Sequence, residues 1–117
     1  MVSQDMKKML EQAQMYQQQL QSLISQKENL KLQLMEIENA LNEISETKET
    51  SVYKITGPLL IKAKTTDVKK ELEEKQKFIK FKIKTLEDSE KKIQKRLEEI
   101  KNKLTDSSGK GSDISAG

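Results

Sequence analysis

Acid–base or ligating chemistry in this 117-residue sequence would have to rest on 19 carboxylates and 22 basic side chains, because it contains neither His nor Cys. Without imidazole or thiol there are no disulfide staples, thiolate nucleophiles, imidazole bases or ordinary zinc sites. Carboxylates alone can hold magnesium or calcium, yet no Gly-centred acidic loop of the EF-hand kind occurs. Gly109-Lys110-Gly111 has neither the spacing nor the preceding strand of a phosphate-binding loop. The charged groups fall on segments patterned as helical rods, which offer no concave site to desolvate or orient them. The sequence therefore predicts a protein that acts by contact and is not an enzyme, with no catalytic residues, cofactor or metal.

The elements that would carry those charges are read from the apolar spacing. With two Phe, two Tyr and no Trp, a thick core would have to be filled by Leu and Ile, and these lie along narrow stripes. Stepping alternately by three and four from Met6 gives Met9, Ala13, Tyr16, Leu20, Leu23, Lys27, Leu30, Leu34, Ile37, Leu41 and Ile44. All but Lys27 are apolar or aromatic, and a heptad seam this long predicts a coiled-coil helix. A second stripe runs through Leu72, Gln76, Ile79, Ile83, Leu86, Glu90, Ile93, Leu97, Ile100 and Leu104. Counted outward from the connection, Lys27 and Glu90 fall at nearly the same height of an antiparallel pair. That match makes an internal ion pair the favoured reading over two unrelated polar positions near solvent. Asp67 or Thr66 can cap the second helix. The remainder after Leu104, TDSSGKGSDISAG, is small and polar enough to be disordered.

Between the helices, SVYKITGPLLIKAKTT changes period. Its β-branched and aromatic residues bracket Gly57-Pro58 and predict two short strands joined by a tight turn, with Lys62 and Lys64 on one face and Ile61 and Ala63 on the other. An isolated two-stranded hairpin is marginal in water and exposes two edges. Pairing with hairpins of other copies or of partner chains is the economical remedy. The chain is thus read as one domain over residues 1–117: a helix at about 4–48, a hairpin at 51–65, a helix at 67–104 and a disordered tail at 105–117. The fold class is mainly α, a long antiparallel two-helix coiled coil with one central β-hairpin left to pair with others.

Charge is uneven. Residues 1–50 hold five Lys against eight acidic residues, a net −3, whereas residues 67–104 hold thirteen basic and nine acidic residues, a net +4. That difference biases pairing of the two helices without driving it, since salt screens it. No segment reaches the roughly 18 apolar residues that span a bilayer. The N-terminal MVSQDMKKML also lacks a signal peptide's apolar run, so no membrane association and a cytoplasmic location are expected.

Helix, single glycine-turn hairpin, matching helix is a layout that resembles the beta-type subunit of the prefoldin family. The likeness is carried by QAQMYQQQLQSLISQKENLKLQLMEIENALNEI, by VYKITGPLLIKAK, and by VKKELEEKQKFIKFKIKTLEDSEKKIQKRLEEIKNKL. The resemblance implies an ATP-independent chaperone of two alpha-type and four beta-type subunits, whose hairpins build a double β-barrel platform with projecting coiled coils. Their tips would hold unfolded client proteins and deliver them to a group II chaperonin. Carried onto this chain, the oligomerisation hairpin comprises Val52, Tyr53, Ile55, Gly57, Leu59, Leu60, Ile61 and Ala63. The client-binding tip comprises Met6, Met9, Leu10, Ala13, Leu97, Ile100 and Leu104. Methionines near the free end suit adaptable contacts, although a seam Met is also ordinary packing. Leu10, beside the seam, widens the apolar surface. Lys101 and Lys103 would face an acidic chaperonin surface or simply be solvated.

Phe78 and Phe81 fit neither stripe. They occupy outward positions among Lys75, Lys77, Lys80, Lys82 and Lys84, either touching a neighbouring subunit, lining the cavity between coiled coils, or standing as a surface exception. A nucleic-acid module is disfavoured, because Ile79 and Ile83 belong to the seam and Glu71, Glu73, Glu74, Glu87, Asp88 and Glu90 flank the basic stretch. A structural or regulatory coiled coil without client binding explains both stripes but not the central strand–turn–strand.

Overall fold

The computed structural model describes the backbone of residues 3–116 and the side chains of residues 3–106. Its elements are α1 (Gln4–Glu46), β1 (Ser51–Thr56), β2 (Leu59–Lys64) and α2 (Thr65–Ala116). It is mainly helical, with one antiparallel hairpin. The chain divides into two compact units, Met1–Gln26 with Leu86–Gly117, and Lys27–Thr85.

Helix α1 starts where Ser3 can close it. The Ser3 hydroxyl accepts from the Met6 amide at 3.1 Å and its carbonyl from the Lys7 amide at 3.0 Å, so one orphan N–H of the first turn is satisfied by a side chain. Asp5 adds a negative charge to that turn. At the other end the Thr47 amide still reaches the Glu43 carbonyl at 3.1 Å.

In the unit Lys27–Thr85 the two helices flank the hairpin and therefore run antiparallel. Leu30 and Ile37 of α1 share a groove with Leu72 and Ile79 of α2. In the other unit, Arg96 lies over the Tyr16 ring, 6.0 Å from its centroid, and Ala13 shares a groove with Leu97, Ile100 and Leu104. Every stripe position on both helices is buried or half-buried. Ile79, Ile83 and Ile100 are the buried apolar side chains among the described residues, and Glu90 is the buried charged one. The core is a seam one side chain wide, as heptad spacing without large aromatics dictates.

Three boundaries differ from the sequence reading. Helix α1 ends at Glu46 instead of residue 48. Helix α2 begins at Thr65, which puts Thr66 inside the helix and Asp67 in its first turn instead of at the cap. It also continues through Ala116, across most of the segment 105–117 expected to be disordered. Propagation adds a hydrogen bond for each residue fixed, and no Pro follows Leu104 to stop it. Gly117 lies outside the described residues.

Candidate functional site: an open hairpin and two apolar surfaces

Strand pairing fixes which hairpin side chains share a face. Val52 pairs with Ala63, Lys54 with Ile61 and Thr56 with Leu59; Ser51 pairs with Lys64, Tyr53 with Lys62 and Ile55 with Leu60. Partners directly opposite lie on the same side of the sheet, so the two sets are opposite faces. Gly57 supplies the turn with φ of 57°, a positive angle that suits the first central residue of a type II′ turn, with Pro58 holding the second at negative φ. No atom lies within 4 Å of where a Gly57 Cβ would stand. The glycine is therefore required by backbone conformation and not by crowding.

The first face is anchored. Val52, Lys54 and Ala63 are half-buried, and the Lys54 ammonium donates to both carboxylate oxygens of Glu71 on α2, at 2.8 and 2.7 Å. That hydrogen bonding holds the Glu71 carboxyl below its ordinary value of 4.5, against partial desolvation and with help from the charges of Lys54 and of Lys75 one turn on. The hairpin base is clasped as well. The Thr65 hydroxyl donates to the Glu49 carbonyl at 2.7 Å and the Thr65 amide to the Thr50 carbonyl at 3.0 Å.

The second face is open. Tyr53, Ile55 and Leu60 are 69%, 77% and 68% exposed, and toward the turn Leu59 and Ile61 of the first face are exposed as well. This is more apolar surface than a two-stranded sheet leaves to water when nothing covers it. Both strands are also edges whose outer backbone groups are available to another strand. Of the residues assigned to the oligomerisation hairpin, Val52 and Ala63 lie half-buried on the anchored face, Leu59 and Ile61 share that face but stay exposed, and Tyr53, Ile55 and Leu60 form the open face.

The residues assigned to the tip gather within one unit. Met6, Met9, Ala13, Leu97 and Leu104 are half-buried along the seam, Ile100 is buried, and Leu10 is exposed. Leu10 and Ala13 border a shallow depression with Lys7, Glu11, Gln14 and Gln17. Phe78 and Phe81 stand apart from both groups at 57% and 67% exposure, the Lys82 ammonium 4.5 Å from the Phe78 ring centroid. Leu32 and Met35 are likewise exposed on α1. Lys27 is half-buried and belongs to one unit, Glu90 to the other. No group of carboxylates that could hold a metal ion occurs among the described residues, and no described helix is long and apolar enough to cross a membrane.

Sequence reasoning missed the Lys54–Glu71 and Thr65 contacts. Strand parity carried the signal for the first: Lys54 shares a face with Val52 and Ala63, where a cation needs an acid from the next element.

A narrow heptad seam interrupted by an anchored hairpin with one open apolar face defines a class of coiled-coil protein that functions as part of an assembly. Residues 7–110 match the family model for prefoldin subunits. The chain is 43% identical over 94 residues to the prefoldin subunit beta of Archaeoglobus fulgidus, covering 80% of this chain and 81% of that protein. It is 39% identical over 97 residues to that of Thermococcus onnurineus, covering 82% and 84%. The crystal structure of the prefoldin beta subunit from Thermococcus strain KS-1 is similar with a TM-score of 0.85 and 32% identity, over 92% of this chain and 95% of that one. The chain belongs to the prefoldin subunit family, in its archaeal beta branch. It is a non-catalytic subunit with a general chaperone role in protein folding.

Proposed function

We propose that this chain joins alpha-type subunits, two alpha with four beta, through a platform of hairpins, and holds unfolded proteins until a group II chaperonin takes them. The observation that carries the reading is the open hairpin face of Tyr53, Ile55 and Leu60, which favours burial against other hairpins in a shared β-barrel. Holding needs no nucleotide, since apolar surface removed from water contributes roughly 25 cal/mol for each Å². Client contact falls to Met6, Met9, Leu10 and Ala13 with Leu97, Ile100 and Leu104. Leu10 is already exposed, and the half-buried seam residues become reachable when the helix ends part. Several weak contacts around one client gain by multivalency what one could not hold. The whole assembly is placed in the cytoplasm.

Deleting residues 1–10 together with 101–117 is expected to preserve the mass of the assembly in solution while abolishing its suppression of aggregation of a denatured test protein. A truncated assembly that protects the client as well as the intact one would remove client binding from these residues.

A further inference from the structure

The stretch of α2 from residue 75 to 86 carries five lysines, two phenylalanines and no carboxylate. Phe78 and Phe81 project at positions three apart, neighbours on one helix face, and both are mostly in water. Ile79 and Ile83, by contrast, are buried. Phe78 also forms one wall of a groove of about 370 Å³ between the helices, lined by Leu30, Ile37, Leu72 and Ile79 with Lys75 and Lys82 among its polar residues. One carboxylate, Glu36, lines it too.

We propose that this aromatic face and groove form a second client contact, selective for unfolded segments in which apolar side chains are interspersed with Asp and Glu. The inference rests on the client-holding reading above but uses residues distinct from the tip. The apolar half of such a segment covers the Phe rings and the groove floor, which are the only large aromatic surface on this helix. Its carboxylates meet Lys77, Lys80, Lys82 and Lys84, all exposed. A segment carrying Lys or Arg instead meets like charge at each of those positions and is rejected. Lys82 over Phe78 couples the two features, because a carboxylate that draws the ammonium away uncovers the ring. Exposure of the lysines makes the selectivity sensitive to salt.

The test uses the intact assembly and two labelled unstructured peptides with the same Leu and Phe content, one with Glu and one with Lys between them, compared by fluorescence anisotropy. The acidic peptide is expected to bind more tightly, by a margin that shrinks as salt rises. The double variant Phe78→Ser with Phe81→Ser is expected to lose about tenfold in affinity for the acidic peptide, with unchanged helix content and little change for the basic peptide. Acidic-peptide binding within about twofold of the unsubstituted protein would overturn the proposal. So would a fall in the variant's assembly mass, which would make the face a contact with a second copy, or loss of an oligothymidylate probe in its place, which would make it a nucleic-acid surface. The chain lacking residues 1–10 and 101–117 separates the two readings. Retention of the acidic preference there supports a separate contact and its loss refutes one, whereas retained aggregation suppression refutes the tip alone.

Discussion

Lys54 reaches across from β1 to Glu71 of α2 and ties the strand to the helix. The folded Glu71 carboxyl titrates below 4.5 because Lys54 donates to it. A carboxyl with a depressed folded value contributes stability that is fully present above the unfolded value and is lost as pH falls through the folded one. Glu71→Gln should therefore speed amide exchange of β1 at neutral pH, and the difference from the unsubstituted protein should vanish well below pH 4.5. Equal exchange at neutral pH would show that the pair does not hold the strand. The effect is kept modest by solvent, since both side chains are 40% exposed. Gly57 supports a second expectation at this scale. Gly57→Ala meets no steric neighbour, so its cost is the backbone strain of positive φ, about 1–2 kcal/mol, measured as a lower denaturant midpoint. Lys54 and Thr65 were not legible from periodicity, because a stripe reports which residues repeat and not which polar pairs meet across elements.

At the scale of elements, the helices were the most legible part, since spacing of three and four has one structural meaning over so many repeats. Each stripe residue from Met6 to Ile44 and from Leu72 to Leu104 is covered in the structure. The boundaries were less legible: a cap such as Ser3 is decided by one hydrogen bond and not by a pattern. The tail was expected to be disordered because TDSSGKGSDISAG is small and polar, whereas the helix continues to Ala116. Unequal burial around one helix leads to a direct comparison. Ile83→Ala removes a buried side chain and should destabilise by about 2–4 kcal/mol, whereas Phe81→Ala, one helical face away and exposed, should stay within about 0.5 kcal/mol. Comparable losses in a urea titration would mean that the outer face also packs within this chain.

For the molecule as a whole, the proposed function gives the hairpin and the seams separate duties. Replacing residues 51–65 by a Gly/Ser linker should leave helix content by circular dichroism largely intact but reduce the mass in solution to that of a lone chain. Retention of the full assembly would shift its interface to the helices. The open hairpin face was foreseeable from composition, because a lone pair of strands with apolar residues on both sides cannot cover itself; a shared barrel was suggested only by resemblance. The Thr65 clasp also bears on how the chain reaches this structure. It joins residues 16 apart in sequence, whereas Tyr16 and Arg96 are separated by most of the chain. Closing a short loop costs less entropy than closing a long one, so the clasp and hairpin form before the far turns of the helices find each other. Each later pair of turns then closes only the few residues between itself and the last. Folding is therefore expected to start at the turn, and the residues assigned to client contact are expected to be the last to be secured and the first to let go.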